Sequence, residues 1–290
     1  MNSKLNNIIN ELIKKYNLDS LEVSSNPREL IIMLLAEIKQ CSIANIKLDM
    51  VKISDADIVI LEDMLGRIAN EKIPPQYITN KEYIYGNSFF VNKNVLIPRQ
   101  DTETLIEFVI DAIKDNGYKS MLDMCTGSGV IGITVARCTD IEEVSLCDVS
   151  TEALQVAREN INLNKVQNKC NIVQSNMFKN LYKLNTKYDI IVSNPPYLTK
   201  TEMKEISEFV EKEPSIALYG GKDGLDYYRI IFEEAKNFLN NNGTIAVEIG
   251  YLQAKDVIDI IGLNKEYTNI SVIQDINNKD RVIVCRFQNK

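Results

Sequence analysis

From about residue 103 onward the sequence alternates between two periodicities, and this alternation constrains the fold more than any other feature. Short apolar runs with strand character fall at 119–124, 143–147, 170–174, 188–193 and 243–249. Interleaved with them, apolar residues recur at helical spacing over 103–115, 129–138, 151–163, 226–240 and 251–261. Strands that alternate with helices predict a parallel sheet covered on both faces, an α/β fold. Two last runs, near 269–274 and 281–287, are too closely connected for a helical crossover and are expected to be antiparallel.

The segment before this pattern reads differently. Leu5, Ile8, Ile9, Leu12 and Ile13 follow one helix face. Ser25-Asn26-Pro27-Arg28-Glu29 has the form of a cap with proline in the first turn, opening a helix to about Gln40. Ser54-Asp55-Ala56-Asp57 opens another, through about Asn70. Pro74-Pro75 ends the helical pattern, and residues 76–97 alternate around Tyr83, Tyr85, Gly86, Phe89, Phe90 and Val91 as a hairpin does. The expected organisation is a small helical domain over 1–73, a hairpin linker over 74–102 and the α/β domain over 103–290.

Composition removes several function classes. With 45% apolar and 25% charged residues the chain is ordinary for a globular protein, and no window approaches a membrane span of ~18 apolar residues. Residues 1–17 carry charge and amides throughout rather than the apolar core of a signal peptide, so a cytoplasmic location and no membrane partner are expected. The six cysteines form no C-x-x-C pair and there is no histidine, so reduced thiols and no metal site are expected. The lack of histidine also removes the usual catalytic triads and the commonest general base. A net charge of −7 without a basic run argues against direct nucleic-acid binding.

Met121-Leu122-Asp123-Met124-Cys125-Thr126-Gly127-Ser128-Gly129-Val130-Ile131-Gly132 runs from a strand into a helix. Glycines there let the backbone turn sharply and approach a ligand. The next strand ends at Asp148, whose carboxylate can accept from two ribose hydroxyls. The spacing Gly127-x-Gly129-x-x-Gly132 also satisfies the dinucleotide fingerprint, so the motif alone indicates a nucleoside-containing cofactor, either NAD or S-adenosylmethionine. Asp123, before the turn, is placed to reach an ammonium group, which favours the methyl donor.

The apolar strand Tyr188–Ser193 stops at Asn194-Pro195-Pro196-Tyr197. Ligands of open parallel sheets sit at the carboxyl ends of strands. The prolines fix φ and remove two N–H donors, leaving a stiff loop that offers carbonyl oxygens, a carboxamide and an aromatic face. Such a loop suits a planar –NH2 acceptor. The Asn194 side-chain oxygen and the Pro195 carbonyl can each accept one N–H, which aims the nitrogen lone pair at a donor methyl. Tyr197 can stack on the flat group, and transfer becomes an in-line displacement governed by positioning, without a strong base.

The whole pattern resembles the release factor glutamine methyltransferase family from about residue 74 to the end. The resemblance is carried by Pro75-Gln76-Tyr77-Ile78, by Ile97-Pro98-Arg99…Asp101-Thr102-Glu103, by the glycine turn, Asp148 and Asn194–Tyr197, by Glu213 to Leu225 with its Gly220-Gly221-Lys222-Asp223-Gly224 core, by Glu248-Ile249-Gly250 and by Asp280-Arg281-Val282. It implies a Rossmann-like class I methyltransferase sheet, mostly parallel with an antiparallel last strand, S-adenosylmethionine as cofactor, and class I peptide chain release factors as protein substrate. The acceptor implied is the glutamine of their Gly-Gly-Gln loop, methylated on its side-chain amide nitrogen. The helical domain is then expected to dock the release factor, and a monomer is expected.

By position, the resemblance implies that Cys125, Thr126, Gly127, Ser128 and Gly129 line the methionine part of the cofactor, Asp148 the ribose, and Asn176 with Met177 the adenine. Asn194, Pro195, Pro196 and Tyr197 would hold the glutamine, with Asn194 also near the donor. Cys125 stands where the family usually has glycine, so its side chain is expected to point away from the cofactor. Asn176 replaces a frequent aspartate and can still accept from an amino group; Met177 replaces an aromatic and would cover adenine by apolar contact. Arg99 and Glu103 read either as an ordinary ion pair or as part of the site. The rival readings are methylation of an exocyclic amine of adenine or guanine, a binding module without turnover, and an NAD-dependent oxidoreductase.

Overall fold

The computed structural model describes residues 3–22 and 26–289. The chain divides into two compact units: residues up to Asn80 together with Ser207–Lys212, and Lys81–Ile206 with Glu213 onward.

The first unit is helical, with α1 (Ser3–Lys15), α2 (Pro27–Ile38), α3 (Ile43–Lys47), α4 (Asp55–Glu71) and α5 (Pro75–Thr79). Its caps follow from local chemistry. The Asn26 side chain accepts from the N–H groups of Arg28 and Glu29, with proline in the first turn of α2; Ser25 lies outside the described residues. Ser54 and Asp57 form a reciprocal capping box at the start of α4. Leu5, Ile9 and Leu12 of α1 pack with Ile31, Leu34 and Leu35 of α2, Leu61, Leu65 and Ile68 of α4, and Phe209 from the returning segment.

The second unit opens with the antiparallel hairpin β1 (Lys81–Ile84) and β2 (Asn87–Phe90). Among its described residues it then holds α6 (Glu103–Asn116), β3 (Ser120–Met124), α7 (Val130–Cys138), β4 (Glu143–Asp148), α8 (Thr151–Asn164), β5 (Cys170–Gln174), β6 (Tyr188–Ser193), α9 (Asp226–Glu234), β7 (Leu239–Glu248), α10 (Ala254–Gly262), β8 (Tyr267–Gln274) and β9 (Asp280–Phe287). The strands form one seven-stranded sheet in the order β5-β4-β3-β6-β7-β9-β8. Pairing is parallel from β5 through β7 and antiparallel for β7–β9 and β9–β8. The alternation and the closely spaced final pair predict a parallel sheet with an antiparallel end, and the sheet has the class I methyltransferase form that the resemblance implies.

Two elements differ from expectation: a short helix, α5, follows Pro74 where the helical pattern is expected to end, and a later helix stops early. The helix expected over 226–240 ends at Glu234, followed by a single 3-10 turn at Ala235–Asn237. Pairing overrides helical periodicity here: Leu239 sits opposite Tyr188, so β7 starts four residues before the expected strand. The register shifts between Tyr188 and Ile190, and Asn242 takes φ +63° within the extra stretch.

The hairpin is held to α8 by two buried amides. Asn160 accepts from the Phe90 N–H at 2.6 Å through Oδ1 and donates from Nδ2 to the carbonyls of Phe90 and Ser128, each at 2.9 Å. Asn164 donates to the Ser88 carbonyl.

Candidate active site

Strand order reverses beside β3: β4 and β5 lie to one side and β6 to the other. Such a switch point opens a crevice at the carboxyl ends of the two central strands. A cleft lies there, lined by the glycine turn, the end of β4 and the loop after β6.

The glycine turn forms its floor. Cys125, Gly127 and Gly129 all take positive φ, at 61°, 53° and 83°, so the backbone turns sharply between β3 and α7. A Cβ at Gly127 would meet nothing within 4 Å; that residue borders open cleft, the space a cofactor backbone contact needs. Gly132 serves packing instead: a Cβ there would fall 2.3 Å from Leu146 Cδ2. Asp148 ends β4 with Oδ2 accepting from the Gly127 N–H at 2.9 Å and Oδ1 from the Ser150 N–H at 3.0 Å. Each oxygen keeps a lone pair for a ribose hydroxyl. Burial pushes its carboxyl above the usual carboxylate range.

Cys125, Thr126, Gly127, Ser128, Asp148, Asn176 and Met177 all line the cleft. The Cys125 thiol lies 3.9 Å from the Met177 thioether, so the two sulfurs share a wall. Burial and the Asp148 charge push that thiol well up, keeping it neutral. Asp123, expected to reach an ammonium, does not border the cleft. It is fully buried behind the turn, where Oδ2 accepts from Thr126 Oγ1 at 2.6 Å and the Gly132 N–H at 3.0 Å. Its Oδ1 has no partner among the described residues. Desolvation pushes the carboxyl up to about 7; Asp123 staples the turn rather than touching a ligand.

The second half of the cleft is built by the loop after β6. Asn194 and Pro196 line it, whereas Pro195 and Tyr197 do not. Tyr197 is held by its backbone: its carbonyl accepts from Gln253 Nε2 at 3.2 Å, and a Cβ on Gly220 would fall 2.5 Å from its Cα. Glycines in the Gly220–Gly224 stretch therefore let a second loop press against the first. Arg99 borders the cleft and pairs with the buried Glu213, which also accepts from the Ile97 N–H at 2.9 Å. Burial pushes the Glu213 carboxyl up while Arg99 opposes the shift. Glu103 does not pair with Arg99; it accepts from the Tyr85 N–H at the hairpin tip.

Two residues of the site escaped sequence reasoning. Asn194 Nδ2 donates to Thr102 Oγ1 at 3.3 Å, and Thr102 donates to Glu248 Oε2 at 2.7 Å. Thr102 and Glu248 are buried and stand 146 positions apart. They lie inside the matching segments, but no spacing rule connects a threonine and a glutamate at that separation.

Residues 99–222 match the family described as Methyltransferase small domain. A release factor glutamine methyltransferase of Borreliella burgdorferi is 38% identical over 280 residues, covering 95% of this chain and 93% of that protein. One from Clostridium acetobutylicum is 39% identical over 216 residues, covering 74% and 75%. A solved methyltransferase from Pyrococcus furiosus overlays on 82% of this chain and all of its own, at 17% identity and a TM-score of 0.49.

Proposed function

Because the chain belongs to the release factor glutamine methyltransferase family, we propose that it transfers a methyl group from S-adenosylmethionine to the side-chain amide nitrogen, N5, of the glutamine in the Gly-Gly-Gln motif of peptide chain release factors. The observation that carries this reading is Asn194. It borders the same cleft as the glycine turn and Asp148, with its NH2 engaged by Thr102, so that its oxygen is the half left to meet a substrate –NH2.

The donor's fit rests on this chain's own groups. The turn over Cys125–Gly129 offers a glycine with open space beside it, Asp148 offers acceptors for a ribose, and Asn176 with Met177 offers an acceptor and a soft apolar face for adenine. When bound, the cofactor supplies an electrophilic methyl on a positively charged sulfur that departs as a neutral thioether. Asn194 Oδ1 accepts one N–H of the glutamine amide, and the Pro195 carbonyl, on the stretch of loop between the cleft-lining Asn194 and Pro196, accepts the other. This orients the amide lone pair, otherwise delocalised, toward the place a donor methyl would occupy, and both oxygens would stabilise the positive charge that grows on nitrogen. The surplus proton leaves to water after transfer, so no strong base is required.

The helical unit serves as the docking domain for the protein substrate and the hairpin as its linker to the catalytic sheet. We infer a cytoplasmic monomer that makes no direct contact with nucleic acid. No helix among the described residues is long and apolar enough to cross a membrane.

The test is incubation with labelled S-adenosylmethionine and, separately, purified release factor, DNA and ribosomal RNA. Label is expected in the release factor alone, on a glutamine amide; label only in nucleic acid rejects the reading. Asn194→Ala should reduce turnover by about 10²-fold or more while cofactor affinity stays within a few-fold. Parallel loss of both would reassign Asn194 to cofactor binding.

A further inference from the structure

A clamp made of one carboxamide has an ambiguity. Rotated by half a turn, Asn194 would present its NH2 to the substrate NH2, and donor would face donor. Something must choose the orientation, and the buried groups behind the loop can do so.

We propose that Thr102 and Glu248 are positioning residues that lock the Asn194 carboxamide with its oxygen toward the acceptor amide. The argument follows hydrogen-bond capacity. An ionised carboxylate only accepts. Glu248 therefore claims the single hydroxyl proton of Thr102, at 2.7 Å. The hydroxyl then has lone pairs alone to offer Asn194, so the NH2 end turns to it, at 3.3 Å, and the Glu248 carboxylate favours the same end directly, since Asn194 also acts on it as a hydrogen-bond donor. The Asn194 oxygen is left for the cleft. Both supporting side chains are nearly inaccessible, Thr102 at 2% and Glu248 at 2% exposure, which shields the bond between them from water; Thr102 also borders the cleft.

Glu248 is itself held from several sides. Arg281 of β9 faces it and lowers its carboxyl, while Asp101 beside Thr102 opposes that effect. Arg281 is shared with Asp101 and Asp275, at 3.0 and 3.2 Å. Tyr197 from the loop and Tyr228 of α9 lie close enough for the Glu248 charge to raise both phenols, and Tyr228 donates its hydroxyl to the Glu248 carbonyl at 2.9 Å. Desolvation dominates and brings the carboxyl up to about 7. Below that pH a protonated Glu248 can donate as well as accept, the hydroxyl proton is no longer dictated, and both carboxamide orientations become acceptable.

The inference rests on the reading of Asn194 as the acceptor clamp, so its test uses one readout that needs no substrate. In ¹⁵N-labelled full-length protein the Asn194 side-chain NH2 signals, identified by their loss in Asn194→Ala, should shift with pH around a midpoint near 7. That titration should vanish in Glu248→Gln and in Thr102→Val. In the methylation assay Thr102→Val should lower kcat by about 10–100-fold with cofactor Kd within twofold, and Thr102→Ser should restore kcat to within about threefold of wild type. The kcat of the wild type should rise with pH through the same midpoint, and that of Glu248→Gln should not.

An Asn194 amide indifferent to pH in the wild type overturns the proposal. So does a Thr102→Val enzyme with wild-type kcat, or one whose cofactor affinity falls in step with kcat. If Thr102→Val does not fold, the Glu248→Gln and Thr102→Ser arms decide alone. A wild type that leaves the release factor unlabelled refutes the assigned acceptor instead, and the amide titration then decides the orientation by itself.

Discussion

Asp123 and Asp148 stand at the ends of neighbouring strands, and their surroundings separate their tasks. Asp148 accepts from two backbone N–H groups and borders the cleft. Asp123 is sealed behind the turn with one oxygen unpartnered among the described residues. Its carboxyl is pushed from 3.8 up to about 7, so the folded state keeps a proton that the unfolded state releases between those values. Stability from this group is therefore fullest at low pH and declines as pH climbs toward 7. Asp123→Asn, neutral throughout, should gain on the wild type by on the order of 5 °C in Tm between pH 5 and pH 8. Paired thermal melts check this, and a difference independent of pH would contradict the assigned burial cost.

At the level of elements, most of the sheet was legible because buried parallel strands are short apolar runs with clear ends, as at Tyr188–Ser193. The end of α9 was not. Ala235-Lys236-Asn237-Phe238 continues a plausible helix, and only the partner Tyr188 across the sheet makes Leu239 a strand residue. The packing of α7 on the sheet was legible in part: Gly132 was visible as a glycine, but the closeness it permits was not. A Cβ at that position would lie 2.3 Å from Leu146 Cδ2 and 3.0 Å from Val144 Cγ1 on β4. Gly132→Ala should cost about 1–3 kcal/mol through forced repacking, seen as a lower urea midpoint with an unchanged slope.

Across the whole molecule, the residues that carry a recognisable motif were readable and those that support them were not. Asn194, Asp148 and the glycine turn declare themselves through type and spacing. Thr102, Glu248 and Asn160 are common residue types whose partners are remote in sequence, and only folding brings them together. Asp123 shows the same limit: a carboxylate before a glycine turn can face the ligand or the turn, and its bond to the Gly132 N–H turns it inward.

The helical unit leaves Leu48, Met50 and Val59 strongly exposed, at 69%, 69% and 67%, unlike its tightly packed interior. If this unit docks the protein substrate, Leu48→Ser with Val59→Ser should raise KM for the release factor by about 3–30-fold, since each loses about 0.3–1 kcal/mol of contact. The kcat at saturation and the cofactor Kd should stay unchanged, and steady-state kinetics with titrated release factor separates these quantities.

Asn160 has a consequence of its own. Its one carboxamide satisfies the Phe90 N–H, the Phe90 carbonyl and the Ser128 carbonyl. Peeling the hairpin away would strand a polar group in a dry interior and loosen the peptide next to Gly129. The strand pair and the glycine turn are therefore tied by a single latch, shared by two parts of the chain that lie far apart in sequence.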